Sequence, residues 1–226
     1  MKLISRTLAF LATAAAIPAG EPPAPAAGTI KLPVRVHLMQ STATPAMHTT
    51  LTEADITRIF GKVNTVWAAA GIQFEIESIV TTAAVLPAKE QLLQLSELDK
   101  ISAMVPRDKL SGDALNVCYI KTAPPNGFYD GRLMVVKDTA ALKEVSGGLD
   151  EPLPRVTSHE IGHALGLEHR QDSTNLMQSG TTGFSLNPAE IAIARKTAGE
   201  LLQKAVAEKA AAEKAGAKEE KKCGAP

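Results

Sequence analysis

Neither sign of charge is in excess in this chain of 226 residues, where 24 lysines and arginines stand against 24 aspartates and glutamates. A formal charge of zero gives no electrostatic steering toward nucleic acid or an anionic membrane, so neither is expected as a partner. Cysteine is nearly absent: Cys118 and Cys223 are the only two. One bridge could be drawn between them in an exported protein, from a predicted strand to the tail. No cysteine lies near the N-terminus, as a bacterial lipid anchor would require. Aromatic residues amount to 4%, and much of the 45% hydrophobic fraction is alanine near the two ends, so the bulk figure overstates the core.

Long apolar runs are missing too. Leu8 to Ile17 is too short for a stable membrane span. It follows Lys2 and Arg6 and precedes small residues, which is the pattern of a secretory signal peptide over residues 1–20, with cleavage near Ala16 or Ala19. A buried N-terminal helix is the alternative, and it would run at once into Pro18, Pro22, Pro23 and Pro25. The expectation is a secreted or periplasmic protein without a stable membrane anchor. Residues 21–29 form a Pro/Ala-rich leader, and residues 30–206 are expected to fold as one domain. Beyond Val206 large apolar side chains stop, so residues 207–226 read as a solvated helical extension.

What is present is a concentration of a scarce residue. Three of the five histidines fall in His159-Glu160-Ile161-Gly162-His163-Ala164-Leu165-Gly166-Leu167-Glu168-His169. On a helix, residues four apart share a face, so His159 and His163 can present imidazoles to one Zn2+ ion. Glu160 lies beside them, where its carboxylate can reach a metal-bound water and take its proton. Gly166 can enter the left-handed region, stop the helix and return His169 as a third ligand. Three protein ligands leave zinc an open position, which separates a catalytic site from a closed structural one. At ordinary residue usage such a five-position match arises by accident in a chain this long about once in 10^5. His37 and His48 have no partner at ligand spacing and read as incidental.

Alternation predicts a first strand over Ile30–Met39, with His37 on the face opposite Val34, Val36 and Leu38. Thr52 and Asp55 fit a capping box, with Leu51 stapled onto Ile56, for a helix striped by Ile56, Ile59, Phe60, Val63, Trp67 and Ala70 and ended by Gly71. Trp67 is therefore a core residue. A second strand follows over Ile72–Val80, and strand, helix, strand in this order implies a parallel pair. Residues 88–104 read as one helix, residues 114–121 and 133–136 as strands, and residues 139–153 as a loop entering the histidine helix through Pro152 and Pro154. On that helix Ile161 and Leu165 lie opposite the histidines and should pack on the sheet. Asn187 and Glu190 form a second capping box for a last helix buried through Ile191, Ala194, Ala198, Leu201 and Ala205.

The three-histidine pattern resembles that of the metzincin clan of zinc endopeptidases, as does the downstream stretch Asn175-Leu176-Met177-Gln178-Ser179-Gly180, which matches the clan's methionine turn. The resemblance implies an α/β fold: a twisted, mostly parallel sheet with one antiparallel edge strand, the zinc helix, the methionine turn and a C-terminal helix. It also implies that Met177 forms a hydrophobic floor beneath the histidines and that Phe128-Tyr129 is the edge strand along which an extended peptide pairs. Thr181 to Ser185 would form part of a specificity wall. Zn2+ on His159, His163 and His169, with Glu160 as general base, would hydrolyse peptide bonds in a protein or peptide substrate. Arg170 follows the third histidine where better-known subfamilies carry Ser, Asp, Glu or Pro, so the resemblance reaches the clan, with matrixin-like and reprolysin-like subfamilies both open. No cysteine precedes Cys118 to act as a matrixin-like latency device, which leaves an inhibitor as an open partner. A non-catalytic binding protein with a relic zinc site and a zinc-stabilised structural domain are the alternatives; an intact Glu160 and an open fourth position count against them.

Overall fold

A computed structural model describes residues 28–223 of the chain, with side chains through residue 207. The expected signal segment and most of the leader lie outside the described residues. Five strands form one sheet: β1 (Ile30–Gln40), β2 (Ile72–Ala83), β3 (Leu115–Ile120), β4 (Gly127–Tyr129) and β5 (Leu133–Lys137), in the spatial order β2-β1-β3-β5-β4. All neighbours are parallel except β4, which pairs antiparallel with β5 at the edge. The alternation of β1 is what divides the core. Leu32, Val34, Val36 and Leu38 enter one cluster, while Met39 enters a second on the other face. β1 and β2 begin at the predicted residues and run past the predicted C-terminal ends, to Gln40 and Ala83, and the register shifts after Val34, whose partner is Ile76 while Arg35 pairs with Ser78.

The first face is covered by α1 (Glu53–Trp67), α4 (Pro152–Ala164) and α5 (Pro188–Cys223). The capping box of α1 is formed as expected, with Asp55 N–H donating to Thr52 Oγ1 at 3.3 Å and Thr52 N–H to Asp55 Oδ2 at 2.9 Å. Its apolar stripe is buried, and Trp67 meets Phe74 of β2 edge-on at 6.0 Å. Burying Phe60 or Phe74 contributes about 2–3 kcal/mol each. After a short 3-10 turn, Gly71 takes φ +61°, and Arg195 of α5 donates to the carbonyl of Ala70 at 2.7 Å, fastening α5 to this corner.

The second face corrects two expectations. His37 is not incidental: it is fully buried between Thr82 Oγ1, 3.0 Å from Nδ1, and Asn116 Oδ1, 3.4 Å from Nε2. Burial pushes its pKa down, with the Asn116 bond pulling the other way, so a neutral ring bridges β1, β2 and β3. The second difference is the single helix predicted over residues 88–104, which is broken into α2 (Lys89–Leu92) and α3 (Glu97–Ala103). Ser96 caps α3 by accepting from Asp99 N–H at 3.2 Å, and a serine that caps one helix ends the preceding one. Together with Met104, Val105 and Leu110 this insertion covers the second face. Cys118 lies there as a free thiol, fully buried. Among the described residues, no helix is long and apolar enough to cross a membrane.

Candidate metal centre and cleft

Helix α4 begins two residues earlier than the loop expectation, with Pro152 at its first position. A proline costs nothing there, because the first helical N–H groups have no carbonyl partner, and the same holds for Pro154. Every residue from Leu153 to Gly162 is buried. Ile161 and Leu165 point into the sheet core, as predicted, which fixes the opposite face toward the cleft. The helix closes in a Schellman motif: Leu167 N–H bonds the carbonyl of Gly162 at 2.9 Å, Gly166 N–H bonds that of His163 at 3.0 Å, and Gly166 takes φ +82°. That reversal carries the chain back to His169.

The three Nε2 atoms of His159, His163 and His169 stand 3.2 Å from one another in every pair. Tetrahedral zinc with its usual bonds to nitrogen separates its ligand atoms by about 3.3 Å, so the triangle has the size of one face of such a site. The outer nitrogens set the tautomers. His159 Nδ1 lies 2.8 Å from the carbonyl of Leu176 and His163 Nδ1 lies 2.9 Å from that of Leu167. A carbonyl only accepts, so each Nδ1 bears the proton and each Nε2 turns a lone pair inward. Burial pushes His159 down to about 3 and lowers His163, so both stay neutral and able to ligate at pH 7. Among the described residues these three histidines are the group able to hold a metal ion. Zinc fits the all-imidazole donor set.

Met177 is fully buried beneath this arrangement, as expected, and the contact that places it involves a glycine. A Cβ on Gly162 would come within 2.5 Å of Met177 Sδ, so a side chain before His163 would displace the thioether that rests there. Arg170, the departure from the better-known subfamilies, also has a place. Its N–H donates to the carbonyl of Met177 at 3.0 Å and its Nε to Glu190 Oε1 at 2.8 Å. Glu190 Oε2 accepts from Asn175 Nδ2 and from Asn187 N–H, at 2.8 and 2.9 Å. One carboxylate therefore joins the third-histidine loop, the methionine turn and the start of α5.

The histidines open into a cleft of about 660 Å³. Glu160, 4% exposed, lies in its wall. Burial pushes its pKa up to about 8, with the charge of Arg155 pulling it down. The edge strand passes directly beside it: a Cβ on Gly127 would lie 2.8 Å from Glu160 Oε1. Arg155, one turn before His159, is 1% exposed and lines the same cleft. It donates from Nε to the carbonyl of Gly183 at 2.9 Å and from Nη2 to those of Asn175, at 3.3 Å, and Gln178. The wall expected at Thr181 to Ser185 is displaced: Thr181, Thr182 and Gly183 are buried, and Ser179 and Gly180 line the cleft instead. Crowding explains the inward turn, because Gly183 packs against the backbone of Ser173 and Thr174.

The structure brings His159, Glu160, His163 and His169 to one cleft, sets Met177 against Gly162, and adds Gly127, Arg155 and Gly162 to the residues that the sequence pattern singles out. The signals for two of these were present in the sequence, since Arg155 lies four residues before His159 and Gly162 lies inside the histidine motif. Gly127 gave none beyond a turn.

The matrixin family model matches residues 112–193, the segment from β3 to the start of α5. The fold aligns with mirolysin, solved in complex with a compound, at 13% identity over 79% of this chain and 97% of that one, with a TM-score of 0.54. It also aligns with metalloproteinase-II from Bacteroides fragilis, at 15% identity over 76% of this chain and 55% of that one, with a TM-score of 0.50. The matched segment and the metzincin-like fold around the three histidines are those of a zinc metallopeptidase. No curated protein matches it in sequence. At such low identity the solved structures speak for the metzincin fold, and the matched motif carries the chemistry.

Proposed function

We propose that this metzincin is an exported endopeptidase in which His159, His163 and His169 hold Zn2+ and Glu160 is the general base. The observation that carries the reading is the position of Glu160, whose carboxylate lies between the histidine face of α4 and the backbone of edge strand β4 at Gly127. When bound, zinc supplies Lewis acidity, polarising a substrate carbonyl and lowering the pKa of a water to about 7. Glu160 takes the proton from the attacking water, whose oxygen adds to the peptide carbonyl carbon. The same carboxyl group then gives the proton to the amine as the C–N bond breaks. A nearby dication and the Arg155 guanidinium both favour the ionised carboxylate that this role requires.

Strand β4 ends the sheet, so its outer edge can pair with an extended substrate backbone. Pairing along an edge suits an internal stretch of polypeptide, which supports endopeptidase rather than chain-end specificity. Export rests on the N-terminal charge and apolar pattern; sequencing the N-terminus of protein collected outside the cytoplasm should find it starting close to Ile17 or Gly20.

The deciding experiment is Glu160→Gln. This substitution conserves size and leaves the three histidines in place, so zinc content and melting temperature should match wild type while proteolysis falls by about 10^3–10^4. Equal rates in two zinc-loaded proteins would remove Glu160 from the reaction. Absence of cleavage by the zinc-loaded wild type across a broad peptide library would favour a non-catalytic role.

A further inference from the structure

We propose that the free edge of β2 pairs with the same edge of a second copy of this chain, antiparallel and about a two-fold axis at Thr81. Strand β2 ends the sheet at the side opposite β4, and its backbone groups point alternately toward β1 and outward. Ala84 N–H donates to the carbonyl of Gln40 at 2.8 Å, so with the register after Val34 the N–H and C=O groups of Ile79, Thr81 and Ala83 point outward. The chain covers this edge on both sides of that stretch. Upstream, the Asn64 side chain stands in for a strand, accepting from Phe74 N–H at 2.7 Å and donating to its carbonyl at 3.0 Å. Downstream, Val85 N–H donates to the carbonyl of Met104 at 2.9 Å. Between them the outward groups of Ile79, Thr81 and Ala83 have no backbone partner among the described residues, and Thr81 and Ala83 are exposed.

An open edge is ordinarily guarded by a charge, a proline or a covering segment. This one carries neither a charged residue nor a proline from Ser78 to Leu86. Its own pattern selects a second copy as the occupant. An axis at Thr81 sets Thr81 against Thr81 and Ile79 against Ala83, all outward residues, so roughly six backbone bonds form, against roughly four for an axis one residue away. Between those pairs Val80 lies opposite Thr82 and Ser78 opposite Ala84, so no like charges meet. Val80 and Thr82 share the second face, level with His37 and Met39 of β1, and line a depression of about 470 Å³ with Val85 and Pro106. Charged groups around it already have partners, Arg35 with Glu77 at 3.8 Å and Lys109 with Asp108 at 3.5 Å. Such self-complementarity is what an isologous interface requires, whereas a foreign strand would find no charge here to select it. Pairing through β2 leaves the β4 edge of each copy free, because the two strands lie at opposite ends of the sheet.

Sedimentation velocity of the zinc-loaded enzyme from about 1 to 300 μM should show a monomer passing to a dimer, with a dissociation constant in the micromolar range of a small interface. Thr81→Lys and Thr81→Glu each set like charges face to face across the axis and should weaken the dimer at least about 10-fold, while an equimolar mixture of the two should dimerise again. Thr81→Pro removes an outward N–H without breaking a bond to β1, and it should also give a monomer. Leu93→Lys, at an exposed position in the insertion, should leave the dimer intact. A wild type that stays monomeric at the highest concentration overturns the inference. So does a dimer that survives the Thr81 substitutions, one that Leu93→Lys disperses, or a Lys and Glu mixture that stays monomeric. If deleting residues 21–27 converts a monomer into a dimer, the occupant is this chain's own leader and the inference fails as well. None of these readouts involves cleavage, so the dimer and the peptidase reading stand or fall separately, and kcat/KM per protomer in the Thr81 variants should equal that of wild type.

Discussion

The two faces of the sheet are covered by different kinds of structure. On the face bearing the histidines, α1, α4 and α5 lay long apolar stripes over Leu32, Val34, Val36 and Val117, and α1 and α5 both start in reciprocal capping boxes. On the other face the cover is α2 and α3, of four and seven residues, with Leu93 76% exposed and Leu98 36% exposed. The difference follows from what each cover must do. Holding three imidazoles to a triangle 3.2 Å on edge requires a helix whose rotation is fixed by packing, and Ile161 and Leu165 fix that of α4. The opposite face has only to keep Cys118, Ile120, Leu133 and Val135 from water. The faces meet at β4, where Tyr129 packs toward one cluster and Phe128 toward the other, and where Arg107 reaches Asp130 at 3.1 Å.

The sharpest test of this contrast is Ile161→Ala, which leaves a cavity under the histidine helix. It should cost about 3 kcal/mol in urea unfolding and weaken zinc retention as α4 loses its fixed rotation. A loss of stability with unaltered zinc affinity would break the link between packing and ligand geometry.

Next in size is Gly127→Ala. The added methyl conflicts with Glu160 Oε1 at 2.8 Å and with Val156 Cγ1 at 2.9 Å, so kcat/KM should fall about 10^2-fold while zinc content stays at the wild-type level. Gly61→Ala, which meets nothing within 4 Å, is the matched control and should leave the rate alone.

A third comparison concerns acid. Burial pushes Glu190 up, but Asn187 N–H, the Asn175 amide and the Arg170 guanidinium outweigh it, and its pKa ends below the ordinary 4.5. A lowered folded-state pKa contributes stability above the unfolded value and loses it as pH falls through the folded one. Glu190→Gln should therefore be less stable than wild type by about 2 kcal/mol at pH 7, a figure limited by the exposure of Arg170. The gap should close as the pH falls below 4.5. A gap independent of pH would mean that Glu190 acts by shape and not by charge.

The smallest effect is expected on the second face. Leu93→Lys, at an exposed position in the insertion, should shift stability by no more than about 0.5 kcal/mol in either direction. A larger loss would show that the insertion is buried against something, contrary to the contrast drawn here.

Much of this molecule was legible without coordinates. The strand alternation of Ile30–Met39, the capping boxes at Thr52 and Asn187, the histidine spacing and the stop at Gly166 are local patterns, each enforced by the geometry of one or two turns or by the period of a strand. Local period also placed Ile161 and Leu165 against the sheet. Reading failed where the deciding neighbour is distant in sequence. His37 was set aside because Thr82 and Asn116 come from other strands. The break between α2 and α3 was missed because the leucines suggested one stripe, whereas Ser96 had the stronger local bond to offer.

The sequence by itself determined which histidines share a helical face and where α1 and α5 start and α4 stops, because contacts between residues three to five apart decide these. Tertiary structure alone decided that Gly127 passes beside Glu160, that Gly162 rests on Met177 and that Arg155 gathers the carbonyls of Asn175, Gln178 and Gly183. Those contacts depend on how sheet edge, helix and turn are packed in three dimensions, and no period along the chain encodes the distance between segments that only folding brings together.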